Sequence, residues 1–210
     1  MSITEEVAQT GRTYSPQDFA RLIWILLEGH AENVAEATVS LARKMAMPER
    51  QLANVRHGAL LHDVGKLEIP EEILYKEGPL SDEDWTAMRR HPALALDVLS
   101  GVPELQSALN IPYCHHEKWN GTGYPRGLKG EDIPLEARIF SVVDVWDALT
   151  SERLYRRAWP IDKVIDYIRS RTGTDFDPEV VNLFLAEYED IPALHERMGP
   201  PPKPLRKIGF

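Results

Sequence analysis

The sequence predicts an all-α protein, and three observations support this fold class. Apolar residues recur at spacings of three and four along most of the chain, which is the periodicity of helices with one buried face. Proline repeatedly stands at the start of such a segment, where its missing N–H is tolerated. No segment has the strict apolar–polar alternation of a half-buried strand, and neither an internal repeat nor a low-complexity linker interrupts the pattern.

We expect one helical domain over residues 15–195, between an N-terminal tail (1–14) and a C-terminal tail (196–210). A chain of 210 residues is within the range of a single domain and is long enough to bury a sizeable core. The segment from Gly199 onward reads GPPPKPLRKIGF, and its proline content and weak basic charge are typical of an extended tail.

The first half of the chain contains two long helical patterns. Ser15 and Pro16 have the character of an N-cap and a first helical position, and the pattern that they begin continues or re-forms past Gly29. Pro48 begins the next helix, whose inward-facing stripe ends at His62. The glycine and proline that follow, at positions 65 and 70, predict a loop.

Capping signals and proline divide the middle of the chain. Ser81 and Asp84 have the spacing of a capping box, with aspartate in place of glutamate, and they predict a short helix through Arg90. Proline disrupts a helix interior, so we interpret His91 as a junction and Pro92 as the start of another helix.

The second half of the chain is expected to hold a shaped loop between helices. A helix over residues 104–118 is expected to end before the segment 120–125, whose sequence NGTGYP predicts that loop. Pro134 begins the most apolar helix of the chain. The remaining helices are expected to begin at Pro160 and at Asp177–Pro178.

The composition excludes several functional classes. A net charge of −9 argues against a nonspecific nucleic-acid binder, but it is compatible with a small anionic substrate that metal ions and a few placed cations would hold. No apolar run approaches the roughly 20 residues that span a bilayer, and the N-terminus lacks a signal-peptide pattern. Cys114 is the single cysteine, which excludes an intramolecular disulfide. We therefore expect a cytoplasmic protein that binds neither nucleic acid nor a membrane.

Histidine and aspartate occur at the ends of elements in a pattern typical of a metal centre. His62–Asp63 falls where a helix stops, and His115–His116 is a second adjacent pair at a predicted helix end. His91 stands at a helix junction, and Asp144 lies within an otherwise apolar helix, where an unpaired carboxylate would be costly to bury. Imidazole and carboxylate together suit iron, manganese or zinc. The pattern predicts a multinuclear metal site.

The alternative is that these residues have structural roles. A lone histidine in a helix is more often structural or exposed, and we assign His57 and His195 to that class. Asp147 is expected to hydrogen-bond the Ser151–Arg153 turn rather than to bind metal. The remaining motifs, taken together and each in a special position, are much harder to explain by packing.

The order of four motifs resembles that of a known family. HDVGK, HP, HHEKWNGTGYP and IPLEARIFSVVDVWDALTSERLYR follow one another as in the HD-GYP domain, a bacterial group of HD metal-dependent phosphohydrolases. The resemblance runs from about His30 to Phe184. It implies a single helical HD-type domain with the metal site at helix ends in a central cleft. It also implies two or three metal ions, usually iron or manganese.

The resemblance assigns roles to individual residues. Asp63 would bridge two ions, and Lys66 would contact the scissile phosphate. Arg153 and Arg156 would hold the second phosphate or a guanine edge. The implied metal ligands are His30, His62, Asp63, His91, His115, His116 and Asp144. The implied catalytic residues are Asp63 and Lys66, and the implied substrate contacts are Lys66, Gly121, Gly123, Tyr124, Arg153 and Arg156.

Two departures from the family pattern matter. Family members with a third ion carry a glutamate four residues before the first histidine, where this chain has Leu26. Glu28 is off register by two residues, so we expect a binuclear site with two divalent ions, Fe or Mn. Leu154 stands where many relatives have proline, which should alter the stiffness of the loop more than the chemistry.

The expected function is hydrolysis of cyclic di-GMP to pGpG, with GMP as a further product, by attack of a metal-activated hydroxide on phosphorus. Two alternatives stay open. One is a low-activity receptor that binds the nucleotide or a diguanylate cyclase-type partner. The other keeps the chemistry and changes the substrate to another cyclic dinucleotide or to a nucleotide monophosphate.

Overall fold

The structure is a computed structural model, and it describes residues 31–99, 101–152 and 157–194. Within these ranges the chain is helical and has no strand; an isolated bridge joins Thr172 and Phe176. The α-helices of the described residues are α1 (Ala31–Lys44), α2 (Glu49–Leu60), α3 (Glu71–Leu74), α4 (Asp82–Met88), α5 (His91–Leu99), α6 (Asn110–Cys114), α7 (Leu135–Thr150), α8 (Ile161–Ser170) and α9 (Pro178–Glu187). The 3₁₀ helices are Val64–Glu68, Pro103–Ala108, Gly130–Asp132, Tyr188–Asp190 and Pro192–Leu194.

The larger of two hydrophobic cores lies between α1, α2, α7, α8 and α9. Helix α7 forms its centre, and Pro134 occupies the N-cap position of this helix as predicted. The predicted core-facing residues of α7 are all buried: Ile139, Val142, Val143, Trp146 and Leu149. Trp146 also donates a hydrogen bond from Nε1 to the carbonyl oxygen of Leu194, at 3.2 Å.

A smaller core lies beneath the 3₁₀ helix Val64–Glu68, α5 and α6. Cys114 belongs to it and is buried, as expected of a small apolar residue. Gly65 packs against the start of α5 so closely that a Cβ atom there would lie 1.9 Å from the carbonyl oxygen of His91. Glycine at this position therefore permits the contact between the two segments.

The helix starts predicted from proline and capping residues are confirmed where the structure describes them. Ser81 and Asp84 form the capping box that begins α4, and α5 begins at His91. Helix α2 follows Pro48, α8 follows Pro160, and α9 has Asp177 as its N-cap. The first predicted helix start, at Ser15–Pro16, lies outside the described residues.

Two predictions about elements are wrong. The continuous helix over residues 104–118 is instead the 3₁₀ helix Pro103–Ala108 followed by the short α6, because Pro112 has no N–H to donate to the preceding turn. The predicted loop after Gly65 is instead a 3₁₀ helix followed by the short α3. Among the described residues no helix is both long and apolar enough to cross a membrane.

Candidate metal centre

His62 and Asp63 lie in the turn between α2 and the 3₁₀ helix Val64–Glu68. Helix α2 ends at Leu60, and Asp63 is the N-cap of the 3₁₀ helix. The tighter winding of that helix places Lys66 one turn beyond Asp63, and its Nζ lies 2.5 Å from Asp63 Oδ2. The end of one helix and the start of the next thus bring an imidazole, a carboxylate and an ammonium group to one place.

Histidines from three separate segments point their Nε2 atoms at the Asp63 carboxylate. The Nε2 of His62 lies 3.2 Å from Oδ2, and the Nε2 of His91 lies 3.3 Å from Oδ1. The Nε2 of His115 is 3.9 Å from Oδ1. We call His62, Asp63, His91, His115 and His116 the histidine–aspartate cluster.

The other ring nitrogen of each of these three histidines is held by backbone. Nδ1 of His62 lies 2.8 Å from the carbonyl oxygen of Ala59, and Nδ1 of His91 lies 2.8 Å from that of Met88. Nδ1 of His115 lies 3.1 Å from the carbonyl oxygens of both Ile111 and Pro112. A carbonyl only accepts hydrogen bonds, so Nδ1 carries the proton and a neutral ring leaves Nε2 unprotonated. This is the arrangement that orients a histidine ligand toward a metal ion.

The donor set fits a bound cation. With Nδ1 as the donor, the neutral rings of His91 and His115 direct lone pairs at each other across 3.2 Å. Acceptors that face acceptors repel each other unless a positive charge lies among them. Imidazole and carboxylate donors together suit a divalent transition metal.

His116 extends the cluster on the side of the predicted loop. One ligand atom from each of His91, His115 and His116 lies within 4.8 Å of the others, as in a three-histidine metal site. The ring of His116 packs against the ring of Tyr124, with 4.8 Å between the centroids. The backbone N–H of Tyr124 donates to the carbonyl oxygen of His116.

Burial and charge set the protonation of the cluster. Burial lowers the pKa of His91 to about 4 and that of His116 to about 3, and it holds the pKa of His115 well below its usual range. These rings are therefore neutral at pH 7, as ligands must be. Burial also opposes the ionisation of His62, but the charges of Asp63 and Asp144 raise its pKa to about 9. Burial alone would raise the pKa of Asp63, but the positive charges of Lys66 and His62 lower it by more. The pKa of Asp63 therefore lies well below its usual range, and this carboxyl stays ionised.

Asp144 lies on α7 and is half-buried. Its negative charge acts on His62 and on Tyr124 and contributes to raising the pKa of both side chains. The structure therefore places this predicted ligand within electrostatic range of the cluster. Asp147, on the next turn of α7, accepts a hydrogen bond from the hydroxyl of Ser151 at 3.3 Å, as expected of a structural role.

The segment that follows the cluster, residues 117–128, we call the Tyr124 loop. Gly123 lies against the start of this loop, since a Cβ atom there would be 2.3 Å from the backbone nitrogen of Lys118. Gly121 has a φ of 85°, which favours glycine. The peptide bond between Tyr124 and Pro125 is cis. The structure thus gives both glycines a role in the path of the loop, and their contact with substrate stays a prediction.

Glu117 holds the far side of the Tyr124 loop, a role that was not predicted from the sequence. Its side chain is buried, with 4% of its surface exposed. One carboxylate oxygen accepts from the backbone N–H of Arg126 at 2.7 Å, and the other accepts from that of Leu128 at 2.9 Å. The sequence did carry a signal for this role, since Glu117 directly follows two histidines that were predicted to face the site. A carboxylate that is buried beside them needs hydrogen-bond donors.

Several predicted site residues lie outside the described residues. They are His30, which was expected to bind metal, and Arg153 and Arg156, which were expected to contact substrate. Leu26 and Leu154, on which the two departures from the family pattern rest, also lie outside the described ranges. The helical histidine His57 is exposed, in agreement with the role expected for it, and His195 is not described.

Comparison with known proteins gives a family match over most of the chain. The HD domain family matches residues 17–180. The chain is 39% identical over 171 residues to the Vibrio cholerae 3′3′-cGAMP-specific phosphodiesterase 3, and the match covers 78% of this chain and 37% of that protein. It is also 39% identical over 156 residues to the cyclic di-GMP phosphodiesterase response regulator RpfG of Xanthomonas campestris, covering 73% of this chain and 41% of that protein. The chain thus spans well under half the length of these relatives.

The fold agrees with a solved structure. The crystal structure of the cyclic GMP-AMP-specific phosphodiesterase V-cGAP3 of V. cholerae superposes with a TM-score of 0.64 at 17% sequence identity. The match covers 91% of this chain and 50% of that chain. At this identity the similarity supports the all-helical fold alone.

Proposed function

The chain belongs to the HD domain family, and its relatives are HD-GYP cyclic dinucleotide phosphodiesterases; on that premise we propose that it hydrolyses cyclic di-GMP to linear pGpG, with GMP as a further product. One observation carries the proposal. The Nε2 atoms of His62, His91 and His115 converge on one carboxylate while their Nδ1 atoms are held by backbone carbonyls. Packing alone does not require three histidines from three segments to have this common orientation.

Two divalent ions, iron or manganese, are the proposed cofactors. Bound there, they would supply Lewis acidity toward phosphoryl oxygens and a nucleophile at neutral pH. Leu26, at the position where some relatives carry glutamate, supports two ions rather than three. The proposed ligands are His30, His62, Asp63, His91, His115, His116 and Asp144.

Lys66 is proposed to act on the substrate rather than on the ions. Its ammonium is held 2.5 Å from Asp63 and is partly exposed, with 25% of the side-chain surface open to solvent. A fixed positive charge at this position stabilises negative charge that develops on a phosphoryl group in the transition state. Tyr124, whose ring packs against that of His116, is proposed to contact the substrate next to the cluster. Arg153 and Arg156 stay proposed contacts outside the described residues.

A second candidate substrate has specific support. The V. cholerae relative that is 39% identical over 171 residues is named for 3′3′-cGAMP rather than for cyclic di-GMP. The two nucleotides share the ring of two phosphates and two riboses and differ in one base. We favour cyclic di-GMP because the GYP loop is intact and the comparably similar RpfG is named for that substrate.

A turnover panel tests the proposed function. The chain would be purified anaerobically, supplied with Mn²⁺ and incubated separately with cyclic di-GMP, 3′3′-cGAMP and pGpG, and the products would be separated by chromatography. We expect cyclic di-GMP to be opened to pGpG with the highest kcat/KM of the three substrates. A higher kcat/KM for 3′3′-cGAMP would support the second candidate. Tight binding of cyclic di-GMP without turnover would support a receptor, and pull-down of a diguanylate cyclase-type partner would then be the next experiment.

A further inference from the structure

Arg89 lies at the edge of the candidate metal centre. It is the C-cap of α4, two residues before His91, and its side chain is exposed. Its guanidinium carbon lies 5.8 Å from the centroid of the Tyr124 ring. The short connection between α4 and α5 therefore brings a cation over the aromatic ring of the Tyr124 loop.

Tyr124 separates Arg89 from the histidine–aspartate cluster. One neighbour of its ring is the ring of His116, with 4.8 Å between the centroids, and another is the guanidinium of Arg89. Burial is the main cause that raises the pKa of Tyr124 to about 12; the charge of Arg89 acts against this shift, and those of Asp63 and Asp144 add to it. The phenol ring thus has the ring of His116 and the guanidinium of Arg89 as neighbours.

Arg89 differs from the two lysines near this site, whereas Arg126 of the Tyr124 loop likewise lies over an aromatic ring, that of Tyr113. Lys66 is paired with Asp63, and Lys118 is paired with Asp175 at 3.3 Å. In residues 31–99, 101–152 and 157–194, no acidic side chain forms an ion pair with Arg89, whose side-chain contact is the Tyr124 ring. A guanidinium that rests on an aromatic face keeps its planar set of donors available for an anion.

A cyclic dinucleotide offers this cation a second phosphate, alongside the contacts proposed for Arg153 and Arg156. Its ring carries two phosphates, and only one of them is at the reacting position at a time. The second phosphate brings a negative charge to a protein whose net charge is −9, so an unpaired arginine near the metal centre lowers the electrostatic cost of binding. Arginine suits phosphate because its N–H groups match two phosphate oxygens at once.

We propose that Arg89 binds the non-scissile phosphate of the cyclic dinucleotide and so determines preference for two-phosphate rings over simple phosphodiesters. This inference rests on the proposed function, because it takes the scissile phosphate to lie at the histidine–aspartate cluster. Arg89 makes its contact with a part of the substrate that does not react. Its effect is therefore expected in KM and in substrate preference more than in kcat.

The test compares Arg89→Gln with wild type on two substrates. One is cyclic di-GMP, and the other is bis(p-nitrophenyl) phosphate, a diester with a single phosphate that reports on the metal centre alone. For Arg89→Gln we expect the ratio of kcat/KM for cyclic di-GMP to that for bis(p-nitrophenyl) phosphate to fall by about tenfold, mainly through KM. Arg89→Lys should recover part of this loss, because lysine keeps the charge but not the paired donors.

Arg90 provides a matched control. It is the next residue, is also exposed and carries the same charge, but no contact with the Tyr124 ring is found for it among the described residues. Arg90→Gln changes the net charge of the chain equally, and we expect its ratio to stay within about twofold of wild type, as a long-range field effect would allow. A fall of equal size in both variants would overturn the proposal in favour of general electrostatic attraction.

Two further outcomes separate this proposal from the proposed function. If wild type hydrolyses cyclic di-GMP and Arg89→Gln keeps the same ratio of kcat/KM values, the phosphate contact is refuted and the proposed function stands. An equal loss on both substrates would also refute it, because that result indicates support of the Tyr124 ring instead. If wild type hydrolyses bis(p-nitrophenyl) phosphate but no cyclic dinucleotide, the proposed function fails and the inference fails with it.

Discussion

The histidine–aspartate cluster and the Tyr124 loop are neighbours that are held in place by different means. His62, His91 and His115 each bond through Nδ1 to a carbonyl three or four residues earlier in the chain. The Tyr124 loop is held instead by the buried carboxylate of Glu117 and by the close approach of Gly123 to the backbone. The orientation of each histidine is therefore set locally, whereas the shape of the loop depends on contacts across it.

This difference implies two kinds of sensitivity. Removing a proposed ligand from the cluster should abolish metal binding and activity, since the proposed ligands would act together on the same ions. Loosening the loop should lower stability and weaken substrate binding while the metal stays bound. The following changes test that separation, from the largest expected effect to the smallest.

Asp63→Asn should have the largest effect. Asp63 is the carboxylate on which three histidine nitrogens converge, and an amide at this position loses the negative charge and one acceptor. We expect both metal retention and hydrolysis of cyclic di-GMP to be abolished, as measured by elemental analysis and by product formation. A variant that kept full activity would show that Asp63 does not bridge the ions.

Lys66→Ala should separate rate from metal content. The ammonium group contacts Asp63 but is not a ligand, so the ions should remain. We expect kcat to fall by about 10²–10³, or roughly 2.7–4 kcal/mol, which is typical of removing one group that stabilises charge in the transition state. Lys76→Ala is the control, because Lys76 pairs with Asp84 at the start of α4 and an exposed pair of this kind contributes little to stability. Loss of metal from Lys66→Ala would assign Lys66 to the binding of the ions.

Gly65→Ala should break the contact between the two segments that carry Asp63 and His91. The new Cβ would lie 1.9 Å from the carbonyl oxygen of His91 and 2.7 Å from the nitrogen of Ala95, so the backbone must move. We expect the free energy of unfolding to fall by about 1–3 kcal/mol, and metal affinity to fall with it. Gly101→Ala is the matched control, since a Cβ atom at Gly101 meets nothing within 4 Å. Equal stability of the two variants in urea unfolding would contradict the packing role of Gly65.

Glu117→Gln should have the smallest effect and should leave the metal in place. The amide NH₂ would face a backbone N–H that now donates to a carboxylate oxygen, so one buried donor loses its acceptor. We expect a loss of about 1–2 kcal/mol in the free energy of unfolding, a higher KM for cyclic di-GMP and unchanged metal content. Glu131→Gln, at an exposed position near the loop, should change none of these quantities. Loss of metal from Glu117→Gln alone would show that the loop and the cluster are not separable.

The cluster could be predicted from the sequence because each of its parts is a local signal. His62–Asp63 and His115–His116 stand at helix ends, and Pro92 marks the helix start at His91. An adjacent pair of donors at a helix end is informative without knowledge of the rest of the fold. The role of each residue as a ligand stays a prediction, but the structure brings the five residues of the cluster together.

Of the features that the sequence did not predict, one is a local break near a proline and another depends on contacts between distant segments. The break between the 3₁₀ helix Pro103–Ala108 and α6 was missed because the apolar spacing continues through Pro112. Glu117 has a role only because the chain returns to it at Arg126 and Leu128. No periodicity or motif encodes that return, so the acceptor was visible in the sequence but its donors were not.

The central claim is that the histidine–aspartate cluster is a metal centre for phosphodiester hydrolysis, and a metal titration of activity tests it most directly. The chelated protein would be supplied anaerobically with increasing Mn²⁺, and the rate of cyclic di-GMP hydrolysis would be measured at each ratio of metal to chain. The account predicts no activity without metal and a plateau at about two ions per chain, as expected of a two-ion site. A plateau at three ions would contradict the inference from Leu26, and full activity of the chelated protein would contradict the account as a whole.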